Sequence, residues 1–528
     1  MSIKLHFHGA AGCVTGSCAR LTTGRADLLI DCGLFQGSKT LKALNYGPFP
    51  FDARKLDAVL LTHAHVDHSG LLPKLALAGF KGLIYATRET RALCSVMLPD
   101  AGAIQEMEVE ALNRRNRRRG LAAVSPIYSA EDAGDTLQLF QPVRFGAWIE
   151  AAPGVRARWW NAGHILGAGS IEIEIAGEDD AEPMRLLFSG DVGPGGRDFA
   201  HDPTGPAGID HLIVESTYGA LERPAQSRES RRAALAAAMK AAHAAGGPLV
   251  IPAFAVERTQ ELLADLIALM EDVEAPPGPI FLDSPLAIKA TDVFLSHAPH
   301  ADGQNPFGRL RESRLLRFTE SAAESREIER FRGWHIIVAA SGMCDAGRIR
   351  HHLKRLLWRE ETTVMLVGFQ PVGTLGRLLL EGAQEVRIQG EPIRVRARIT
   401  MFDGYSGHAD GPGLAAWAQA RAPISGTIFL THGEPPHLKG LSQRLSACGF
   451  DAARIKTAKL DQMFTLRRAA ADEAAADKAP RAPQEAVSRL DWHNARAAFL
   501  AQLNARLQAA ATDDARKALL EDLSSLIQ

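Results

Sequence analysis

Cysteine is scarce. Six occur in 528 residues, at 13, 18, 32, 94, 344 and 448, with no CxxC pair among them. That excludes a disulfide-built secreted scaffold and fits a reduced chain. No run of about 18 apolar residues is present, so no membrane-spanning helix is expected. The opening MSIKLHFHGAAG also lacks the basic-then-apolar pattern of a secretion signal. Charge of one sign is missing as well: 60 Lys+Arg face 61 Asp+Glu, for a net −1 and a pI of about 7.0. Any polyanion must therefore be held by a local patch rather than by the field of the whole molecule. No internal repeat is visible. These absences lead to the expectation of a soluble cytoplasmic protein.

What is present is globular. Hydrophobic residues make up 46% and charged residues 23%, which excludes disordered, collagenous and coiled-coil chains. At about 100–200 residues per domain, the length predicts roughly three domains.

Short apolar runs recur and end at polar or glycine-rich turns, the rhythm of layered α/β architecture. Leu28–Ile30 precedes Asp31, Ala58–Leu61 precedes His63, Leu186–Phe188 precedes Asp191, and Leu212–Val214 precedes Glu215. The middle of the chain alternates strands and helices: Arg228–Ala245, Leu249–Ile251, Thr259–Glu271, His335–Ala340, Ile349–Leu357, Thr363–Val367 and Leu375–Leu380. Such alternation predicts a doubly wound parallel sheet. Polar clusters like the early ones return only at Ser406–Asp410 and Thr431–Glu434, so the middle block reads as an insertion into a discontinuous first domain. The boundaries expected are 1–207, 208–396, 397–466 and 467–528. The last begins as an Ala/Pro-rich linker and ends in a helical extension, with Leu500, Leu503 and Leu507, then Leu519, Leu520 and Leu523, at helical spacing. That extension is expected to pack on the body, with a partner or homodimer contact as the alternative.

The segment Leu60-Leu61-Thr62-His63-Ala64-His65-Val66-Asp67-His68-Ser69-Gly70 carries the densest chemistry. In an extended segment, positions 63, 65 and 67 project to one side, so two imidazoles converge without a helix. A turn near Ser69-Gly70 lets Asp67 and His68 face a second metal, since carboxylate and neutral imidazole both suit Zn²⁺. Further candidates sit at strand ends: His164, Asp191 and His432. A carboxylate such as Asp191 can bridge two metals about 3.5–4 Å apart. Without ligands, three histidines and an aspartate in six residues would be costly clustered polarity. His6, His8, His243, His297, His300, His351 and His352 have no matching context and read as solvated or core histidines.

The HAHVDH string, with Asp31 before it and His164 and Asp191 after it, resembles the motif set of the metallo-β-lactamase fold. Glu215 in VESTYG, His408 in SGHAD and His432 in THGE resemble the added motifs of the β-CASP nucleases, over about residues 1–466. The fold implied is an αββα sandwich with an inserted doubly wound α/β domain. The resemblance implies two zinc ions, one on His63, His65 and His164, the other on Asp67, His68 and His432, with Asp191 between them. Asp31 matches an acid that orients a ligand histidine, and Glu215 and His408 match the pair that handles the leaving group. Ser341, Gly342, Gly347 and Arg348, with Gly368, Gln370, Gly373, Thr374, Gly376 and Arg377, resemble phosphate-binding loops where unpaired N–H groups at a helix start face an anion. Phe369 and Pro371 stand where the family has tyrosine and a small residue.

The chemistry implied is hydrolysis of single-stranded RNA to 5′-phosphate and 3′-hydroxyl ends, with paired zinc neutralising the phosphate and making hydroxide at neutral pH. A DNA nuclease of the same family is the alternative; His432 favours RNA, because DNA-processing relatives tend to carry an apolar residue there. A diiron redox protein of this fold has glutamate where this chain has His65. A noncatalytic scaffold would be expected to have lost ligands, and none is lost here. Arg114, Arg115, Arg117, Arg118 and Arg119 form a basic run that reads as either a solvated helix face or a contact to RNA.

Overall fold

A computed structural model describes residues 3–177, 182–196, 201–224, 227–297, 307–368, 370, 374–474, 479–488 and 512–525, with 499, 503, 506, 507 and 510. Among the described residues three large sheets form. The first runs in the order Ala470–Ala474, Gln462–Arg467, Ile3–Phe7, Ala19–Thr22, Asp27–Ile30, Ala58–Leu60, Leu83–Thr87, Phe140–Val143. The second runs Ile455–Thr457, Ile428–Thr431, His211–Glu215, Met184–Phe188, Gly169–Ile175, Val155–Asn161, Ile149–Ala152.

These two sheets pack face to face. Leu5, Phe7, Leu28, Ile30 and Leu60 from one meet Trp159, Ile171, Ile173, Phe188 and Phe429 from the other in a continuous apolar core. Trp159 is fully buried and donates its indole N–H to the Leu61 carbonyl at 3.0 Å, so its one polar atom is satisfied. The outer face of the second sheet is covered by helices Gly411–Gln419 and Pro435–Ala447, whose Leu414, Trp417, Leu438 and Leu441 pack on Leu187, Leu212 and Leu430. Helix Arg88–Arg118 lies on the first sheet's side, started by Thr87, whose hydroxyl accepts the Thr90 N–H. Two sheets between helical layers make the αββα sandwich expected.

The third sheet is wholly parallel, in the order Leu316–Phe318, Ile280–Leu282, Ile336–Ala339, Leu249–Pro252, Thr363–Val367, Arg398–Phe402. Its central strands, Leu249–Pro252 and Ile336–Ala339, are apolar along their length because helices such as Arg228–Ala244 and Arg258–Glu271 cover the sheet. Helix Arg88–Arg118 of the sandwich packs on helix Pro285–His297 of this lobe, and one apolar cluster includes Leu93, Met97, Ile288 and Phe294. The two lobes therefore share a core rather than hang from linkers.

The expected boundaries at 208 and 396 both move. His211–Glu215 pairs in parallel with Met184–Phe188 and Ile428–Thr431, so it belongs to the sandwich. Arg398–Phe402 pairs with Thr363–Val367 and belongs to the insert. The buried His211–Glu215 and the half-exposed edge strand Arg398–Phe402 both fit a parallel strand of either sheet by pattern alone, so sequence could not assign them. The linker expected from 467 is also partly structured. Ala470–Ala474 adds antiparallel to Gln462–Arg467 as an edge strand despite its weak β-formers. Ala482 and Val487 bury against Cys13, Phe35, Leu41 and Leu460.

Helix Asp513–Ser525 has no fully buried residue, its Leu519 and Leu523 are half-buried, and Leu500 lies outside the described residues. No helix among the described residues is long and apolar enough to cross a membrane.

The strap at 481–487 is pinned by charge. Arg481 donates to Asp461 at 3.0 Å and to the His8 carbonyl, and His8 Nδ1 stands 3.1 Å from Asp461. Burial alone would raise the Asp461 carboxyl, but the hydrogen bonds from His8 and Arg481 hold it down at about 2. A depressed carboxyl stabilises the fold above its ordinary range and loses that contribution as pH falls through the folded value. Asp461→Asn, which tolerates the left-handed backbone here (φ 60°), is expected to cost about 2 kcal/mol at pH 7. In urea denaturation the gap to the parent chain should close as pH falls from about 4 towards 2.

Candidate metal centre

Every residue of the centre leaves the carboxyl-side edge of a strand or the loop after it. Strand Ala58–Leu60 runs through His63 and His65 into the single-turn helix Val66–Ser69, which carries Asp67 and His68. Asp31 ends Asp27–Ile30, Asp191 follows Met184–Phe188, Glu215 closes His211–Glu215, and His432 follows Ile428–Thr431. His164 sits in the turn between Val155–Asn161 and Gly169–Ile175, and His408 precedes helix Gly411–Gln419. The turn at Gly33 permits the assembly: a Cβ there would lie 1.7 Å from the Asp67 carbonyl, which accepts the Ser17 N–H at 2.7 Å.

Two clusters result. In the first, His65 Nδ1 lies 3.2 Å from His63 Nε2 and 3.1 Å from His164 Nε2, and both Nε2 atoms lie 3.5 Å from Asp191 Oδ2. In the second, His68 Nε2 and His432 Nε2 are 3.2 Å apart, with Asp67 Oδ2 3.6 Å from His432 Nε2. Asp191 Oδ1 is 3.3 Å from His68 Nε2. The same carboxylate thus turns one oxygen to each cluster. Potential ligand atoms in each group fall within 4.8 Å of one another.

A cation fits this donor set. Burial pushes His63 and His164 well below the usual imidazole range and His65 down to about 4, so all three are neutral at pH 7 and present lone pairs. Three buried imidazole nitrogens facing one another cannot all be satisfied by protons they share; one cation satisfies them together. Asp191 Oδ1 is buried without a hydrogen-bond partner among the described residues. His68 and His432 differ: burial would lower them, but Asp191 and Asp31 hold His68 well up, and Asp191 and Asp67 hold His432 up.

Orientation comes from a second ring of contacts. Asp31 stands 2.7 Å from His68 Nδ1 and accepts the Thr62 N–H at 2.8 Å and the Thr62 hydroxyl at 2.9 Å. His164 Nδ1 donates to the Gly407 carbonyl at 2.7 Å, which leaves Nε2 as the free lone pair. Thr217 Oγ1 lies 3.1 Å from His432 Nδ1. Thr62, Thr217 and Gly407 were not singled out from sequence, although each lies inside a motif that was: THAHVDH, VESTYG and SGHAD. Asp31 (φ 61°) and His432 (φ 48°) both hold left-handed backbone, a strain of roughly 1–3 kcal/mol each that clusters at functional sites.

Beside the clusters, His408 Nδ1 is 3.1 Å from Glu215 Oε1. Glu215 is aimed by the Val192 N–H at 2.7 Å and the Thr217 N–H at 3.2 Å.

Family models agree with this geometry. The metallo-β-lactamase superfamily matches residues 11–124, the Beta-Casp domain 259–379, and a "Zn-dependent metallo-hydrolase RNA specificity domain" 392–455. A ribonuclease of Thermus thermophilus is 34% identical over 84% of this chain and 95% of its own length. The chain belongs to the β-CASP family of metallo-β-lactamase-fold, metal-dependent nucleases. An RNase J-like protein of Methanocaldococcus jannaschii is 28% identical over 88% of this chain and 98% of its own. The transcription termination factor FttA of Cenarchaeum symbiosum is 29% identical, but this β-CASP chain spans only 66% of it.

The inserted β-CASP loops depart from expectation. At the start of helix Leu375–Leu380, the Leu375 N–H goes to Asp345 at 2.9 Å, Gly376 N–H to the Met343 carbonyl at 3.1 Å, and Arg377 N–H to Thr374 Oγ1 at 3.2 Å. The unpaired donors assumed for a phosphate cradle are therefore occupied by the protein. Arg377 pairs with Glu381 at 2.7 Å, and Arg348 with Asp283 at 2.7 Å and the Thr319 carbonyl at 3.0 Å, so neither is a free cation. Ser341 N–H donates to the Ala346 carbonyl, and a Cβ at Gly342 would meet the Phe254 ring. Phe369, Pro371 and Gly373 lie outside the described residues, as does His300. Of the other scattered histidines, His8 and His352 serve as structural partners of Asp461 and Asp283.

Metal loading is the direct measurement. His63→Ala and Asp191→Ala are expected to lower bound zinc in metal analysis of the purified protein. Zinc added to chelated protein at pH 7 should release protons, because His68 and His432 must lose theirs to bind it. Titration calorimetry in buffers of different ionisation enthalpy reads that release.

Proposed function

We propose that this β-CASP chain is a two-zinc ribonuclease that hydrolyses single-stranded RNA to 5′-phosphate and 3′-hydroxyl ends. The observation that carries the reading is Asp191, with one oxygen turned to each of two imidazole clusters beside the His408–Glu215 pair. His63, His65 and His164 would hold one ion, Asp67, His68 and His432 the other. When bound, the ions neutralise the scissile phosphate and acidify water at neutral pH.

The chain's own groups supply the rest. Asp31 holds the His68 ring in place and the Gly407 carbonyl holds the tautomer of His164. His408 donates Nδ1–H to Glu215, which leaves Nε2 to carry a proton to the departing 3′-oxygen. Glu215 is buried and fixed by the Val192 and Thr217 N–H groups, so it holds the His408 ring in one orientation. His432 completes the second cluster and supports RNA over DNA. The arginine run supports a polyanion: Arg115, Arg117 and Arg118 close the exposed last turn of Arg88–Arg118, and among the described residues Arg114 alone of the run pairs with a carboxylate, Glu110 at 2.6 Å. The basic last turn also complements the helix dipole.

His408→Ala is expected to keep both metals and lose about 10²–10⁴-fold in single-turnover cleavage of 5′-labelled RNA. Normal cutting by that variant would remove His408 from its role. Replacing the five arginines by alanine should flatten the dependence of RNA affinity on salt by about 0.7 per lost phosphate contact. An unchanged slope would leave them a solvated face.

A further inference from the structure

One cation in the seam between the lobes makes no ion pair among the described residues. Arg258 opens helix Arg258–Glu271 at the carboxyl end of strand Leu249–Pro252, and its guanidinium lies over the Phe254 ring at 4.6 Å. Among the described residues no carboxylate pairs with it, and Nη1 is shut from water with no hydrogen-bond partner. Tyr218, Asp403 and Glu261 are its nearest electrostatic neighbours, and burial still pushes its pKa down. Burying a guanidinium without a partner is costly, so folding alone does not explain this arginine.

Its surroundings point to what would complete it. Tyr218, from the VESTYG motif, stands edge-on to His408 with centroids 5.8 Å apart. On the same ring sits a second arginine, Arg223, with Cζ 4.4 Å from the centroid, Nη2 donating to the His408 carbonyl at 3.3 Å, and Nε buried without a partner. Arg223 thus rests on Tyr218 beside the residue that protonates the leaving group, and Tyr218 is also an electrostatic neighbour of Arg258. Neither guanidinium has a carboxylate partner among the described residues. Planar donors of this kind match the oxygens of a phosphate.

We propose that Arg258 on Phe254, together with Arg223 on Tyr218, forms a subsite for a backbone phosphate of the bound strand, one nucleotide from the phosphate that is cleaved. The proposal rests on the ribonuclease reading for its substrate but concerns binding rather than the chemical step. The subsite gives register: a phosphate held at a fixed distance from His408 sets which linkage lies over the metals. It also gives the inserted lobe a share in substrate grip that its capped loops at 374–377 do not provide.

The test uses the metal-loaded full chain in the His408→Ala background, with affinity for short fluorescent RNA read by anisotropy. R258M keeps bulk and removes charge. Its expected signature is a melting temperature equal to or above the parent's, because an unpaired buried charge is gone, together with at least tenfold weaker binding and a shallower salt slope. R258K should recover part of the affinity. RNAs carrying one neutral methylphosphonate at successive linkages should reveal one position that weakens the Arg258 protein and costs R258M nothing more.

If R258M binds with parental affinity and slope, or is penalised at that position as much as the parent, the subsite does not exist. A lower melting temperature with unchanged binding would make Arg258 structural and also overturn it. The two readings separate cleanly. Arg258-dependent binding by a His408-intact protein that cuts no RNA would sink the nuclease and keep the subsite, whereas cutting without Arg258-dependent binding would do the reverse.

Discussion

The carboxylate of Asp191 is the constraint around which the rest is arranged. It is buried between two groups of imidazoles that come from three separate stretches of chain, and each of its oxygens serves a different group. Such a concentration of polar atoms would tear a dry interior apart unless cations neutralise it. The αββα sandwich supplies the interior that tolerates it: two sheets whose apolar faces are fully spent on each other, with loaded residues confined to the strand ends. Chemistry at the rim and hydrocarbon in the middle is the division that lets both exist in one fold.

The insertion adds a second wall. Because it leaves the sandwich after Glu215 and returns before His408, the acid pair straddles the junction: one partner ends a strand of the sandwich, and the other follows the last strand of the insert. Tyr405 strengthens that junction, donating its hydroxyl to Asp265 at 2.9 Å, while Arg231 and Arg232 pair with the same carboxylate. A shift of the inserted lobe is therefore felt directly at His408. The shared apolar cluster under helix Arg88–Arg118 resists such a shift by packing rather than by charge.

Much of this was legible in the chain because ligand chemistry is local in sequence. HAHVDH places four donors within six residues, and strands that stop at Asp31, Asp191, Glu215 and His432 announce a common edge. The alternating strands and helices of the insert were legible for the same reason, period and length. Sheet membership was not: HLIVE and RITMF are apolar enough for either parallel sheet, and only pairing decides. Nor could composition reveal that Asp345 caps Leu375, 30 residues away, and so removes the donors a glycine-rich loop suggests. Arg258 was invisible too, since an unpaired arginine is defined by what fails to surround it.

The seam concentrates unfavourable energy. Asp31 and His432 hold left-handed backbone, imidazoles crowd one another, and Arg258 Nη1 is shut from water without a partner among the described residues. None of these helps the chain fold, and each costs on the order of 1–3 kcal/mol. They persist because the two cores beneath are large, and because bound cations and a polyanionic strand would relieve them in turn: the imidazoles first, then the arginines. A surface assembled so that its ligands complete it binds them in that order. Bound cations would make the seam cationic, and Arg223 on the Tyr218 ring with Arg258 on the Phe254 ring would extend that field. In a chain of nearly balanced charge, substrate grip would on this reading come from where its charges are left unpaired, not from how many it has.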